Sequence, residues 1–155
     1  MPSLEQRVAR LEAEAAIERL LVGFVAACDA PYAADLIGEL FATDAVMELG
    51  PLGTFEGRPA IHAFFAGISA AIPVTVHFQA NYDIELDPSG STASGRWYGF
   101  ELPVVNGAAT WGAFTYDDRY RRRADGSWEI TRLTQRLRFL TDYDQGWARQ
   151  PLIEL

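Results

Sequence analysis

Apolar residues recur at helical spacing over the first part of the chain: Leu4, Val8, Leu11 and Ala15, then Leu20, Leu21, Phe24, Val25 and Cys28. This stripe predicts one long first helix with a break near Ala15. Ser3 followed by Gln6 fits a capping box at its start, and Asp29-Ala-Pro31 reads as a turn and a new start, so the helix is expected to stop around Cys28. A short second helix, about 32–41, carries Leu36, Ile37, Leu40 and Phe41. Residues 44–49 then read as a strand, punctuated by Gly50-Pro51 and Gly53, with Thr54-Phe55-Glu56 as a short partner. Arg58-Pro59 opens a third helix that puts Ile61, Phe64, Phe65 and Ile68 on one face, and His62 falls off that stripe toward solvent.

After Pro73 the pattern becomes strand-rich, and Asp87-Pro-Ser-Gly90, Asn106-Gly107 and Asp125-Gly126 are three successive turn signals. Four long antiparallel strands follow, about 74–86, 92–104, 109–123 and 127–140. Helices first and a meandering sheet afterwards define an α+β class, with three helices on one face of a strongly curved, mostly antiparallel sheet. Curvature of that kind leaves a funnel, and its interior is where a ligand could sit.

Composition narrows the picture. The 155 residues, 49% of them hydrophobic, suffice for one well-filled core and fall short of two ordinary domains, so residues 1–155 are read as one domain. A net charge of −8 repels nucleic-acid phosphates and anionic membrane surfaces, so neither is expected as a partner. The run Arg119-Tyr-Arg-Arg-Arg123 reads as a solvated strand end. All 13 basic residues are arginine, which removes lysine Schiff-base chemistry and the phosphate-loop lysine. Cys28 is the only cysteine and reads as a buried thiol, while the two histidines, His62 and His77, fall on different elements. No metal and no cofactor are expected. The first ten residues carry charges where a signal peptide needs its apolar core, which points to a cytoplasmic protein.

The candidate chemistry centres on Val74-Thr-Val-His-Phe-Gln-Ala-Asn81, a strand that carries His77 on an otherwise largely apolar ladder. Histidine exchanges a proton near neutral pH, so one facing a pocket can serve as acid and base; one satisfied within a core or rim serves neither. Aromatic residues on these elements, Phe24, Phe55, Phe65, Trp97, Tyr98, Trp111, Phe114 and Tyr116, suit a ring-shaped guest and equally suit a plain core.

Several strings resemble the SnoaL-like group of the nuclear transport factor 2-like superfamily, in particular its bile-acid 7α-dehydratase and scytalone dehydratase branch. They are Ala16-Ile-Glu-Arg-Leu20 leading to Cys28-Asp29, Val76-His77, Ala93-Ser-Gly-Arg-Trp-Tyr98, Gly112-Ala-Phe-Thr-Tyr-Asp-Asp-Arg-Tyr120 and Asp125-Gly-Ser-Trp128. The resemblance implies a cone-shaped, cystatin-like α+β roll around a pocket, with a catalytic aspartate ending the first helix and a catalytic histidine on the first long strand. Asp29 and His77 occupy those places, although Asp29 could also cap the second helix. A carboxylate that holds an imidazole makes it an effective acid/base.

The chain also departs from that branch. Phe24 stands where the bile-acid branch has a tyrosine, Arg136 and Arg138 flank the place of its last-strand arginine, and no later strand carries a second histidine. Tyr116, Tyr98, Tyr32 or Asn81 would have to supply a second donor.

The resulting expectation is a cofactor-independent, dehydratase-type lyase acting on a hydrophobic cyclic or aromatic small molecule. Its catalytic pair would be His77 and Asp29, in a pocket lined by Phe24, Tyr32, Phe55, Phe65, Asn81, Trp97, Trp111, Tyr116 and Arg138. Alternatives are a ketosteroid-isomerase-like isomerase, an epoxide hydrolase using Asp117, Asp118 and Arg119, and a non-catalytic binding or assembly domain with an occluded funnel. A homo-oligomer, dimer or trimer, is expected, with the 143–149 tail and its Trp147 docked over a pocket mouth or a neighbouring subunit.

Overall fold

The structure is a computed structural model that describes Met1 and residues 3–153. Pro2, Glu154 and Leu155, the remainder of the expected 1–155 domain, lie outside the described residues. The first helix, α1 (Leu4–Asp29), starts with the capping box: Gln6 N–H donates to Ser3 Oγ at 3.2 Å and Ser3 N–H to Gln6 Oε1 at 2.8 Å. It runs without the break expected near Ala15. Leu4, Val8 and Leu11 are exposed, so the stripe becomes a buried face only from Ile17 through Leu21, Phe24 and Cys28, where the helix lies under the sheet.

The second helix, α2 (Ala34–Leu40), is shorter than its apolar pattern suggests. Tyr32 takes a left-handed φ of 55° after Pro31, which delays the restart, and Phe41 already opens β1 (Phe41–Glu48). A 3-10 turn at Gly50–Leu52 leads to β2 (Thr54–Glu56), and Pro59 sits in the first turn of α3 (Arg58–Ile68), where its missing N–H costs nothing.

The long strands are β3 (His77–Leu86), β4 (Thr92–Glu101), β6 (Ala108–Arg122) and β7 (Trp128–Asp142), with a two-residue β5 (Val104–Val105) beside β6. Pro103, which has no N–H, separates β4 from β5. The sheet order is β2-β1-β7-β6-β4-β3; β1 runs parallel to β7 and every other pairing is antiparallel. The fold is the expected α+β roll, three helices laid on a curved mixed sheet. No described helix is long and apolar enough to cross a membrane.

The cone's inner face alternates along each strand. On β4 it presents Ala93, Gly95, Trp97, Gly99 and Glu101, and on β6 Phe114, Tyr116, Asp118 and Tyr120. Both glycines are packing devices. A Cβ on Gly99 would lie 2.8 Å from Tyr116 Cε2, and one on Gly95 would lie 2.9 Å from Tyr120 Cε2. Each tyrosine therefore lies across the neighbouring strand, and Tyr116 stacks on Trp97 with centroids 3.6 Å apart.

The 143–153 tail does not cover the pocket. It folds back on the outer face, where Trp147 packs 5.0 Å from both Trp111 and Phe139 and Leu152 bridges to Leu140.

Candidate active site

Asp29 is the last residue of α1, where the helix dipole disfavours a negative charge. His77 opens β3, an edge strand whose outward N–H groups lack ladder partners. Each resolves the other's problem. His77 N–H donates to Asp29 Oδ1 at 3.1 Å, and the ring Nδ1 lies 2.6 Å from the same oxygen. Because an ionised carboxylate only accepts, the proton belongs on Nδ1, and Nε2 is left with a lone pair. The His77 side chain is 12% exposed and that of Asp29 33%.

Nε2 faces a second acid. Glu101, paired directly opposite His77 across β3 and β4, places Oε1 3.6 Å from it, beyond hydrogen-bond reach. Tyr116 donates its hydroxyl to Glu101 Oε1 at 3.2 Å, and Gln135 Nε2 donates to the Tyr116 oxygen at 2.6 Å. Burial raises the Glu101 acid, opposed by the charge of His77 and by the Tyr116 hydrogen bond. Burial, reinforced by Glu101, likewise pushes up the Tyr32 and Tyr116 phenols and the Cys28 thiol.

These groups line a cavity of about 620 Å³, the open mouth included. Its walls are mainly apolar: Phe24, Val25, Leu49, Phe64, Phe65, Ile68, Ile72 and Leu133, closed on the sheet side by Trp97 and Tyr116. Tyr32 stacks on Phe65 at 6.1 Å and meets the His77 ring edge-on at 6.4 Å. Its positive φ is uncommon for an aromatic residue and lies beside the His77–Asp29 contact.

Of the residues expected in the pocket, His77, Phe24, Tyr32, Phe65, Trp97 and Tyr116 line it, with Asp29 behind the imidazole. Four others lie elsewhere. Phe55 packs on the outer side of Phe64, with centroids 4.4 Å apart. Asn81 sits exposed in a β-bulge with φ 58°. Trp111 faces away from Tyr116 and belongs to the outer aromatic cluster with Tyr143 and Trp147. Arg138 occupies a bulge of β7 and is exposed, while Arg136 reaches outward to Asp117 at 3.3 Å.

The epoxide-hydrolase group is also dispersed. Asp117 points outward, and Asp118 is enclosed beyond Trp97 with no place in the cavity wall. His62 is half-exposed and bonded to Asp35 at 2.8 Å. Glu101 and Gln135 were not expected in the site. Among the described residues no three histidine, cysteine or carboxylate side chains converge as metal ligands do.

Residues 9–134 match the SnoaL-like domain family. The chain belongs to that family. The SnoaL-like cone recurs in a proposed scytalone dehydratase from Novosphingobium aromaticivorans, at 23% identity and TM-score 0.80 over 88% of this chain and 91% of that one. A hexachlorocyclohexane dehydrochlorinase of LinA type 3 from Novosphingobium barchaimii shares it at 21% identity and TM-score 0.79, over 88% and 93%. A proposed aromatic ring hydroxylase from Novosphingobium aromaticivorans does so at 26% identity and TM-score 0.77, over 90% and 96%. No curated protein sequence matches the chain. Two of the three neighbours are named for eliminations, and at these identities the likeness speaks for the fold.

Proposed function

We propose that this SnoaL-like protein is a cofactor-independent lyase that eliminates water from a hydrophobic cyclic or aromatic small molecule, with His77 as acid/base and Asp29 as its positioning and charge-balancing partner. The observation that carries the reading is the 2.6 Å contact between Asp29 Oδ1 and His77 Nδ1, with the opposite ring nitrogen facing an apolar cavity.

In the reaction, Nε2 removes the proton from a carbon next to a carbonyl group, and Asp29 stabilises the imidazolium that results. The electrons of the broken C–H bond pass through an enolate. Its oxygen is served by the Tyr32 hydroxyl of the cavity wall, since the Tyr116 hydroxyl is already donated to Glu101. As the double bond forms, the C–O bond of the neighbouring carbon breaks, and the imidazolium returns its proton to the departing hydroxyl, which leaves as water. The same pair performs an isomerisation when the proton is returned to another carbon of the substrate.

Incubation with hydroxylated aromatic and polycyclic carbonyl compounds, followed by mass spectrometry, tests the reading. A product lighter by one water, formed by the native protein and not by folded His77→Ala, is the expected result. Turnover that survives His77→Ala would remove His77 from the mechanism. A product of unchanged mass would replace elimination by isomerisation.

A further inference from the structure

The acid/base pair leaves one acidic group of the cavity without a task. The Glu101 side chain is 13% exposed, and its Oε1 sits across the His77 ring from Asp29. The Tyr116 hydroxyl, itself held by Gln135, fixes that oxygen in place, and among the described residues no other donor reaches the carboxyl group. The imidazole thus stands between two carboxyls, and one of them already balances any positive charge it acquires.

No compensating cation is at hand. Among the described residues no arginine lines the cavity. Arg58 is spent on the Phe41 carbonyl, Arg132 on Glu48 and Arg136 on Asp117. A guest with its own carboxylate would bring a third carboxyl group to a single imidazole inside largely apolar walls, where like charges are poorly screened.

We propose that Glu101 makes the cavity selective for uncharged ring compounds bearing a hydroxyl or carbonyl oxygen, and against carboxylates of the same ring system. The inference rests on the cavity being the substrate site and names the substrate class that site admits. Burial favours the neutral acid form of Glu101 more than in an ordinary glutamate. An incoming carboxylate must therefore either sit beside an ionised Glu101 or share its proton. A neutral hydroxyl or carbonyl meets neither requirement, and it accepts a hydrogen bond from the neutral form.

Calorimetric titration near neutral pH with 2-naphthol and 2-naphthoate, equal in ring, the first uncharged and the second an anion, tests this directly. The native protein is expected to bind 2-naphthol and to bind 2-naphthoate at least about tenfold more weakly. Glu101→Gln keeps an acceptor for Tyr116 and removes the charge; it is expected to close the gap to within about threefold by tightening 2-naphthoate, while Glu101→Asp keeps the gap. Should Glu101→Gln fail to fold by circular dichroism, Glu101→Ala is read with the same pair. Equal binding of both probes by the native protein, or a gap unchanged without the carboxylate, overturns the inference and leaves the cavity intact as a site. Binding of neither probe overturns the cavity as the substrate site, and the inference falls with it.

Discussion

Removing the carboxylate of Asp118 should change how stability depends on pH. The side chain is fully enclosed; Oδ2 accepts from Trp97 Nε1 at 2.7 Å and from the Tyr120 hydroxyl at 3.1 Å, and Oδ1 has no partner. Burial outweighs the opposing pull of Trp97, Tyr120 and the nearby Thr134 backbone N–H and pushes the acid from 3.8 up to about 7. A value raised by folding means that the protonated form is the one the native state prefers. Its contribution is fully present below the unfolded value of 3.8 and is lost as pH rises through about 7.

At about 1.4 kcal/mol per unit the whole effect is roughly 4 kcal/mol, of which roughly 2–3 kcal/mol falls between about pH 5 and pH 8. Asp118→Asn keeps the shape and the acceptor, cannot ionise, and exposes a buried amide donor to the vacant side at a pH-independent cost of about 1–3 kcal/mol. Urea unfolding followed by tryptophan fluorescence should therefore find the variant less stable than native at the lower pH and about equal or more stable at the higher one. A stability difference between the two proteins that stays constant within about 0.5 kcal/mol over that range would refute the assignment of a raised acid to Asp118.

Other substitutions probe the site and its walls. Asp29→Asn should lower turnover of an identified substrate by roughly 10²–10⁴ while the protein stays folded, and unaltered turnover would deny the carboxylate its role. Gly99→Ala places a methyl 2.8 Å from Tyr116 Cε2, and because that ring is already stacked on Trp97 it cannot recoil; thermal unfolding should show a loss of about 1–3 kcal/mol. Tyr116→Phe strands the Gln135 amide and one Glu101 oxygen and should cost about 1–3 kcal/mol in urea unfolding, with a cavity of nearly unchanged volume. Trp147→Ala should speed hydrogen exchange over 143–153 and leave 2-naphthol binding untouched, because the tail packs on the outer face.

The elements themselves were legible because their signals are local. A capping box, a proline in a first helical turn and Gly-bearing turns at 87–90, 106–107 and 125–126 mark most boundaries to within a few residues. The parallel pairing of β1 with β7 was not, since it joins segments about ninety residues apart with no local mark. Strand parity could have spared one misplacement. Trp111 differs from Tyr116 by an odd number of positions, so the two must face opposite sides of β6. Arg138 is harder, because the bulge that turns it outward shows only in the register with β6.

The pairing of Glu101 with His77 was hidden by a bulge of the same kind. Near the turn, β3 and β4 pair Leu86 with Ala93 and Asp83 with Arg96; continued unbroken, that register would set Leu102 opposite His77 and turn His77 to the outer face, away from the inward Glu101. The extra residue at Asn81, in the left-handed conformation asparagine tolerates, shifts the pairing by one. Asn81 therefore belongs to the site through the backbone: it was expected to touch the substrate, and it instead brings Glu101 opposite the histidine.

Asp29 was legible through the family resemblance, and the structure adds that it is a poor choice for the helix that carries it. A carboxylate in the last turn opposes the dipole by about 0.3–1 kcal/mol, and α1 has no basic residue there to compensate. An uncharged asparagine would end the helix at less cost. What the charged residue adds is a partner for His77, through one backbone and one ring N–H. Where local preference and the residue disagree and a single cross-element contact resolves the disagreement, the contact is the reason for the residue. His77 and Asp29 thus explain each other on geometry alone, and Glu101, equally unfavourable as a buried acid, is accounted for by the selectivity it imposes on what may approach them.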